Sequence, residues 1–112
     1  LGPVFDYLQV DCEPAEVTFN ALKQIDLSKY KFATITFEHD SYNDGDSIRD
    51  TSRKYLESQG YVLVVDNISV DQSHPFEDWW CDPDLVNPDI LAVMKCVNGK
   101  TKKAEDYMLG KL

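Results

Sequence analysis

Two short apolar runs in this chain end in the same abrupt way, and that repetition constrains the fold more than any other feature. Phe5-Asp-Tyr-Leu-Gln-Val10 stops at Asp11-Cys12-Glu13, and Lys31-Phe-Ala-Thr-Ile-Thr-Phe37 stops at Glu38-His39-Asp40. Both runs are rich in β-branched and aromatic residues, so each reads as a strand. Between them, Pro14 opens a segment with Ala15, Phe19, Leu22 and Ile25 at helical spacing. Proline suits a first helical turn because its missing N–H would have no partner there. The unit is strand, helix, strand, with acids at the end of each strand.

The remainder continues the alternation. Ser41 to Asp46 is polar and reads as a loop; Ser47 then caps a second helix with Ile48, Tyr55 and Leu56 on one face, closed by Gly60. Tyr61 to Val65 is the strongest strand signal. A turn over Asp71 to Pro75 leads into a return strand from Phe76 to Cys81, and Pro88-Asp89 opens a third helix through Ile90, Leu91, Met94 and Val97. Asn98-Gly99 interrupts that helix, and Lys102 to Leu109 reads as one or two further helical turns. Strands alternating with helices predict right-handed crossovers and a mostly parallel sheet covered by helices. The strand pair joined by the turn adds one antiparallel member near the carboxyl side. The expected fold is α/β, in a single domain over residues 1–112.

Charge narrows the partners. With 20 Asp and Glu against 11 Lys and Arg, the net charge is −9, the wrong sign for a phosphate backbone or an anionic lipid surface. Neither a nucleic-acid nor a membrane partner is expected. No apolar run approaches the length of a membrane span, and no basic stretch followed by an apolar core marks a signal peptide. Cys12, Cys81 and Cys96 form no CxxC and no close pair, which suits free thiols in a reducing compartment, the cytoplasm. The start at Leu1-Gly2-Pro3 without Met is expected of a processed, cloned or truncated piece.

In an open parallel sheet, ligands bind at the carboxyl ends of the strands. If the first two strands are neighbours, Asp11, Glu13, Glu38 and His39 gather at one rim. Such a rim binds a cation, positions a hydroxyl-bearing or sulfonium ligand, or supplies a general base. The plainer alternative is that these acids are solvated or sit at the positive end of the following helix. Carboxylates around His39 favour its protonated form and suit proton transfer, although a lone histidine there is more often structural. His74 precedes Pro75 in a turn and is expected to be merely exposed. No histidine pair has metal-ligand spacing. Asp40 to Gly45 fails as a calcium loop, because Tyr42 and Thr51 stand where oxygen ligands are needed. Trp79 and Trp80 are adjacent in a strand, so one belongs on each face; core packing is preferred over a stacking surface for a base or sugar. The five glycines are scattered, with no GxGxxG, P-loop or nucleophile elbow.

Asp6-Tyr-Leu-Gln-Val-Asp11-Cys-Glu13-Pro-Ala-Glu16, followed by Phe32-Ala-Thr-Ile-Thr-Phe-Glu38-His39, resembles the second half of FkbM-type methyltransferases. Those proteins carry a strand reading D-x-L-x-x-D-x-E-G-x-E, a helix ending near "GID", and a strand ending in Glu. Leu22 to Asp26 fits that order, as do Gly60-Tyr61 and Phe76-Glu-Asp-Trp-Trp80. The resemblance covers about the first 80 residues. It implies a class I, Rossmann-like fold that uses S-adenosylmethionine to methylate a hydroxyl. On this resemblance Asp11 and Glu13 correspond to acids at the end of the family's fourth strand, and Glu38 lies at the end of its fifth. Two departures stand out. Pro14 occupies a usual glycine position, and the first three strands with their Gly-rich cofactor loop are absent.

The leading expectation is therefore the carboxyl portion of an S-adenosylmethionine-dependent O-methyltransferase acting on a small-molecule or sugar hydroxyl. Asp11, Glu13, Glu38 and His39 are its candidate catalytic residues, and no cofactor is expected on this chain alone. The alternative is a non-enzymatic interaction module; a small hydrolase or lyase using Glu38 and His39 is weaker, because no nucleophile stands beside them. Without a preceding strand, Phe5 to Val10 would form an open edge, and a homo-oligomer through that edge is expected.

Overall fold

The computed structural model describes residues 2–108 and contains five strands and five helices among them. Their order is β1 (Val4–Val10), α1 (Ala15–Lys23), β2 (Lys31–Glu38), α2 (Ser41–Asp44), α3 (Ser47–Ser58), β3 (Val62–Ser69), β4 (Glu77–Cys81), α4 (Pro88–Met94), β5 (Lys102–Lys103) and α5 (Ala104–Met108). The strands form one mixed sheet in the order β1-β2-β4-β3-β5. β1 pairs with β2 in parallel, and β3 with β5 in parallel. β4 runs antiparallel to both β2 and β3 and lies between them. The α/β architecture and the single antiparallel strand agree with the sequence reading.

Alternation along the strands builds two unlike faces. Leu8 aligns with Ile35, Ile35 with Trp80, and Trp80 with Leu63, a row of apolar side chains across one face. α1 and α3 cover this face with Phe19, Leu22 and Leu56, and Phe19 meets the edges of Phe37 and Tyr55. Trp80 is buried here. Trp79, on the opposite face, is half-buried and donates its indole N–H to Glu77 at 2.8 Å. That second face is covered only in part. α4 buries none of its residues fully, and an apolar groove of about 270 Å³ runs between it and Tyr7, Thr34, Thr36 and Trp79.

Several boundaries differ from the sequence reading for local reasons. Ser41 to Asp44 is a helical turn rather than loop: Asp40 adopts a left-handed conformation (φ 48°), and its carbonyl accepts from Asn43 and Asp44. Asp46, not Ser47, precedes α3, while Gly60 with φ 91° ends it as expected. β3 runs on through Asp66 to Ser69, because its polar residues find buried partners. α4 stops at Met94 instead of reaching Val97, and the Cys96 N–H bonds to the Val64 carbonyl at 2.7 Å. Lys102 and Lys103 form β5 before the last helix; Leu109 lies outside the described residues. Among the described residues, no helix is long and apolar enough to cross a membrane.

Candidate functional site

The parallel register of β1 and β2 decides what meets at the rim. Val10 aligns with Phe37, so Asp11 and Glu38 leave the sheet side by side at its carboxyl end. The left-handed turn at Asp40 brings a third carboxyl to them. Burial pushes the Glu38 carboxyl up to about 9, and hydrogen bonds and repulsion from Asp11 and Asp40 push the same way. Burial also raises Asp40, with Asp44 and Asp11 adding to it and the hydrogen bond with Glu38 opposing. Burial and mutual repulsion make it hard for Glu38 and Asp40 to ionise together, so this pair keeps a proton more readily than isolated carboxyls do. The cluster thereby offers both a hydrogen-bond donor and acceptors at one point, the pairing that proton exchange with a hydroxyl requires.

Glu13 is exposed at the mouth of this rim. It lines a cleft of about 350 Å³ with Asp40, Tyr42 and Asp44. Asp44 in turn accepts the Ala15 N–H at 3.0 Å, which ties α2 to the start of α1. A smaller cleft of about 230 Å³, also lined by Asp40 and Tyr42, reaches Glu38, Asp71 and His74. His74 is exposed and pairs with Asp71 at 2.7 Å. Asp11, Glu13 and Glu38 thus share one end of the sheet.

His39 does not join them. Strand alternation turns it away from Glu38, and it is wholly buried. Its Nδ1 accepts the Ser41 N–H at 3.1 Å, and its Nε2 lies 3.3 Å from Asp78 Oδ1. Because Nδ1 is an acceptor, the ring proton belongs on Nε2, where it donates to Asp78. The structure places His39 in the core against one buried acid, apart from the rim where Glu38 stands.

Asp78 is the centre of an arrangement that sequence reasoning missed. Arg53 from α3 donates to both of its oxygens, at 2.8 and 2.9 Å, and the Asn67 N–H adds a third contact at 2.9 Å. Burial alone would raise the Asp78 carboxyl, but hydrogen bonds from His39 and Arg53 outweigh it and hold the group at about 2. The network continues across the sheet. Asn67 (φ 55°) accepts from Arg53 and donates to the Gly99 carbonyl, while buried Asp66 accepts from Gly99 N–H and pairs with Lys102. The available signal is Asp78 itself, an acid two residues from both Phe76 and the buried Trp80 in a strand. Its partners are 11 to 39 residues away, beyond the reach of any local pattern.

The three cysteines are free. Among the described residues, no group of three His, Cys, Asp or Glu side chains is arranged to hold a metal ion. The chain matches no family model, no curated protein and no solved structure.

Proposed function

We propose that this chain is the carboxyl portion of an S-adenosylmethionine-dependent O-methyltransferase of the FkbM type, with a Rossmann-like sheet continuing beyond β1. The observation that carries the reading is the meeting of Asp11 and Glu38 at the carboxyl ends of neighbouring parallel strands, where open α/β sheets bind their ligands. The motif order around Asp6 to Glu16 and Phe32 to His39 supports it, as does the one antiparallel strand, β4. In this reading the rim receives a small-molecule or sugar hydroxyl. Asp11 accepts the hydroxyl proton, Glu38 donates a hydrogen bond to the same oxygen, and Glu13 guides the acceptor at the cleft mouth. Transfer to oxygen depends mainly on positioning, so few catalytic groups are needed. The free thiols suit a cytoplasmic setting.

These residues do not make a cradle for the cofactor. Gly45 is the glycine that leads into a helix, and it is followed by Asp46 and Asp50 rather than by a second glycine. In this reading the cofactor is held by a part of the protein outside residues 1–112. The coding sequence upstream of Leu1 tests this: an open frame encoding a strand, a Gly-x-Gly turn and a helix is expected, and a start codon a few residues before Leu1 would refute it. A second reading, a non-enzymatic module working through a partner or as a homo-oligomer, draws on β1 alone. That strand is a sheet edge, with Phe5 and Tyr7 about half exposed.

A further inference from the structure

We infer that His39 is a positioning residue, which ties Asp78 to the backbone of Ser41 and so fixes Asp40 beside Glu38 at the rim. The inference rests on the rim being the reactive site, but its geometry stands without any methyl transfer.

Asp40 is where the chain leaves β2, and its backbone is left-handed (φ 48°, ψ 39°), a region that residues other than glycine seldom occupy. Such a conformation persists only when its surroundings over-determine it. Two sets of contacts do so here. Backbone N–H groups of His39 and Asp40 both donate to the Phe76 carbonyl, at 2.7 and 3.1 Å, and Ser41 Oγ donates to the Pro75 carbonyl at 3.2 Å. On the inner side, the Ser41 N–H is taken by His39 Nδ1, and the other ring nitrogen is anchored on Asp78. Asp78 is itself held by both Arg53 contacts and the Asn67 N–H. The ring is thus a rigid strut between a fixed ion pair and a turn that is strained by its own conformation. On that turn stands Asp40, which lines one cleft with Glu38 and whose carboxyl helps push the Glu38 carboxyl up.

The ring's hydrogen-bond partners are Asp78 from β4 and the Ser41 N–H from α2, with Arg53 from α3 behind Asp78; the Asp40 and Glu77 carboxyls also feel its field. The ring must therefore accept at Nδ1 and donate at Nε2. Loss of the strut lets the Asp40 turn relax towards ordinary backbone, and the third carboxyl leaves Glu38.

Nuclear magnetic resonance on the chain, without cofactor or acceptor, tests this in two ways. In the unaltered protein, nitrogen-15 spectra at neutral pH should show the Nε2–H tautomer, with coupling across the hydrogen bond from Ser41 N to His39 Nδ1. An Nδ1–H tautomer or an imidazolium would overturn the inference. Carbon-13 titration of the Glu38 carboxyl should give a midpoint near 9, with a proton affinity about tenfold lower or more in His39→Leu and in Asp40→Asn. If His39→Leu does not fold, His39→Asn replaces it, because the shorter side chain cannot reach Asp78. His39→Gln, which can both donate and accept, should restore the midpoint. A Glu38 midpoint unchanged in the folded His39 variant would overturn the positioning role. A protein that transfers no methyl group but passes these tests leaves this inference standing and removes only the reading of the reaction.

Discussion

Replacing Asp78 with Asn should be among the most damaging substitutions in this chain, although it changes neither size nor shape. Asp78 is fully buried and accepts from Arg53 twice, from the Asn67 N–H and from His39. Holding its carboxyl below its ordinary 3.8 stabilises the fold at neutral pH, at roughly 1.4 kcal/mol per pH unit of lowering. The substitution also leaves the Arg53 guanidinium largely buried without a counter-charge, and breaking one side of a buried pair costs about 3–5 kcal/mol in all. For a chain of this length, about 4 °C of Tm corresponds to each kcal/mol, so a fall of about 12–20 °C is expected. The pH dependence has a definite sign. A carboxyl with a lowered folded-state pKa stabilises above its ordinary value, and that stability is lost as pH falls through 3.8 towards 2. Calorimetric melts of Asp78→Asn and the unaltered chain should therefore differ most near pH 7 and converge in acid. A difference under about 1 kcal/mol at pH 7, or one that widens on acidification, would refute the reasoning.

Glu38→Gln should act in the opposite direction. The folded state keeps the Glu38 proton up to about 9 while the unfolded chain releases it near 4.5, so stability is lost as pH rises through that window. A glutamine escapes the loss, and melts at pH 7 should show a gain of about 1 kcal/mol after allowance for solvent screening of a partly exposed group. Light scattering at micromolar concentration should detect a dimer or larger assembly, because β1 is an edge strand among the described residues, with Phe5 and Tyr7 about half exposed. A monodisperse monomer would contradict that expectation.

The parts of the molecule that could be read from sequence are those in which one side of an element is buried. Val10 and Phe37 each precede an acid, and a helix of suitable spacing joins their strands; parallel pairing then makes Asp11 and Glu38 neighbours. The adjacency of Trp79 and Trp80 likewise implied one ring on each face. Elsewhere, polar residues are buried through distant partners. Asp66 and Asn67 look like the end of a strand until Gly99, Lys102 and Arg53 supply their hydrogen bonds. His39 was grouped with Glu38 because the two are consecutive, yet period-two alternation sends consecutive side chains to opposite faces. Asp40 entered the site through a left-handed turn, and nothing in D-S-Y-N distinguishes that turn from an ordinary loop.

In the proposed reading, residues 1–112 supply the acceptor side of a methyltransferase whose cofactor is held elsewhere in the protein. Isothermal titration of S-adenosylmethionine tests it most directly, against the product of the whole reading frame that encodes these residues and, in parallel, against residues 1–112 alone. The account predicts micromolar binding to the whole product and no measurable binding to residues 1–112, which lack a Gly-rich turn before a helix. Micromolar binding to residues 1–112 alone, or none to the whole product, would contradict it.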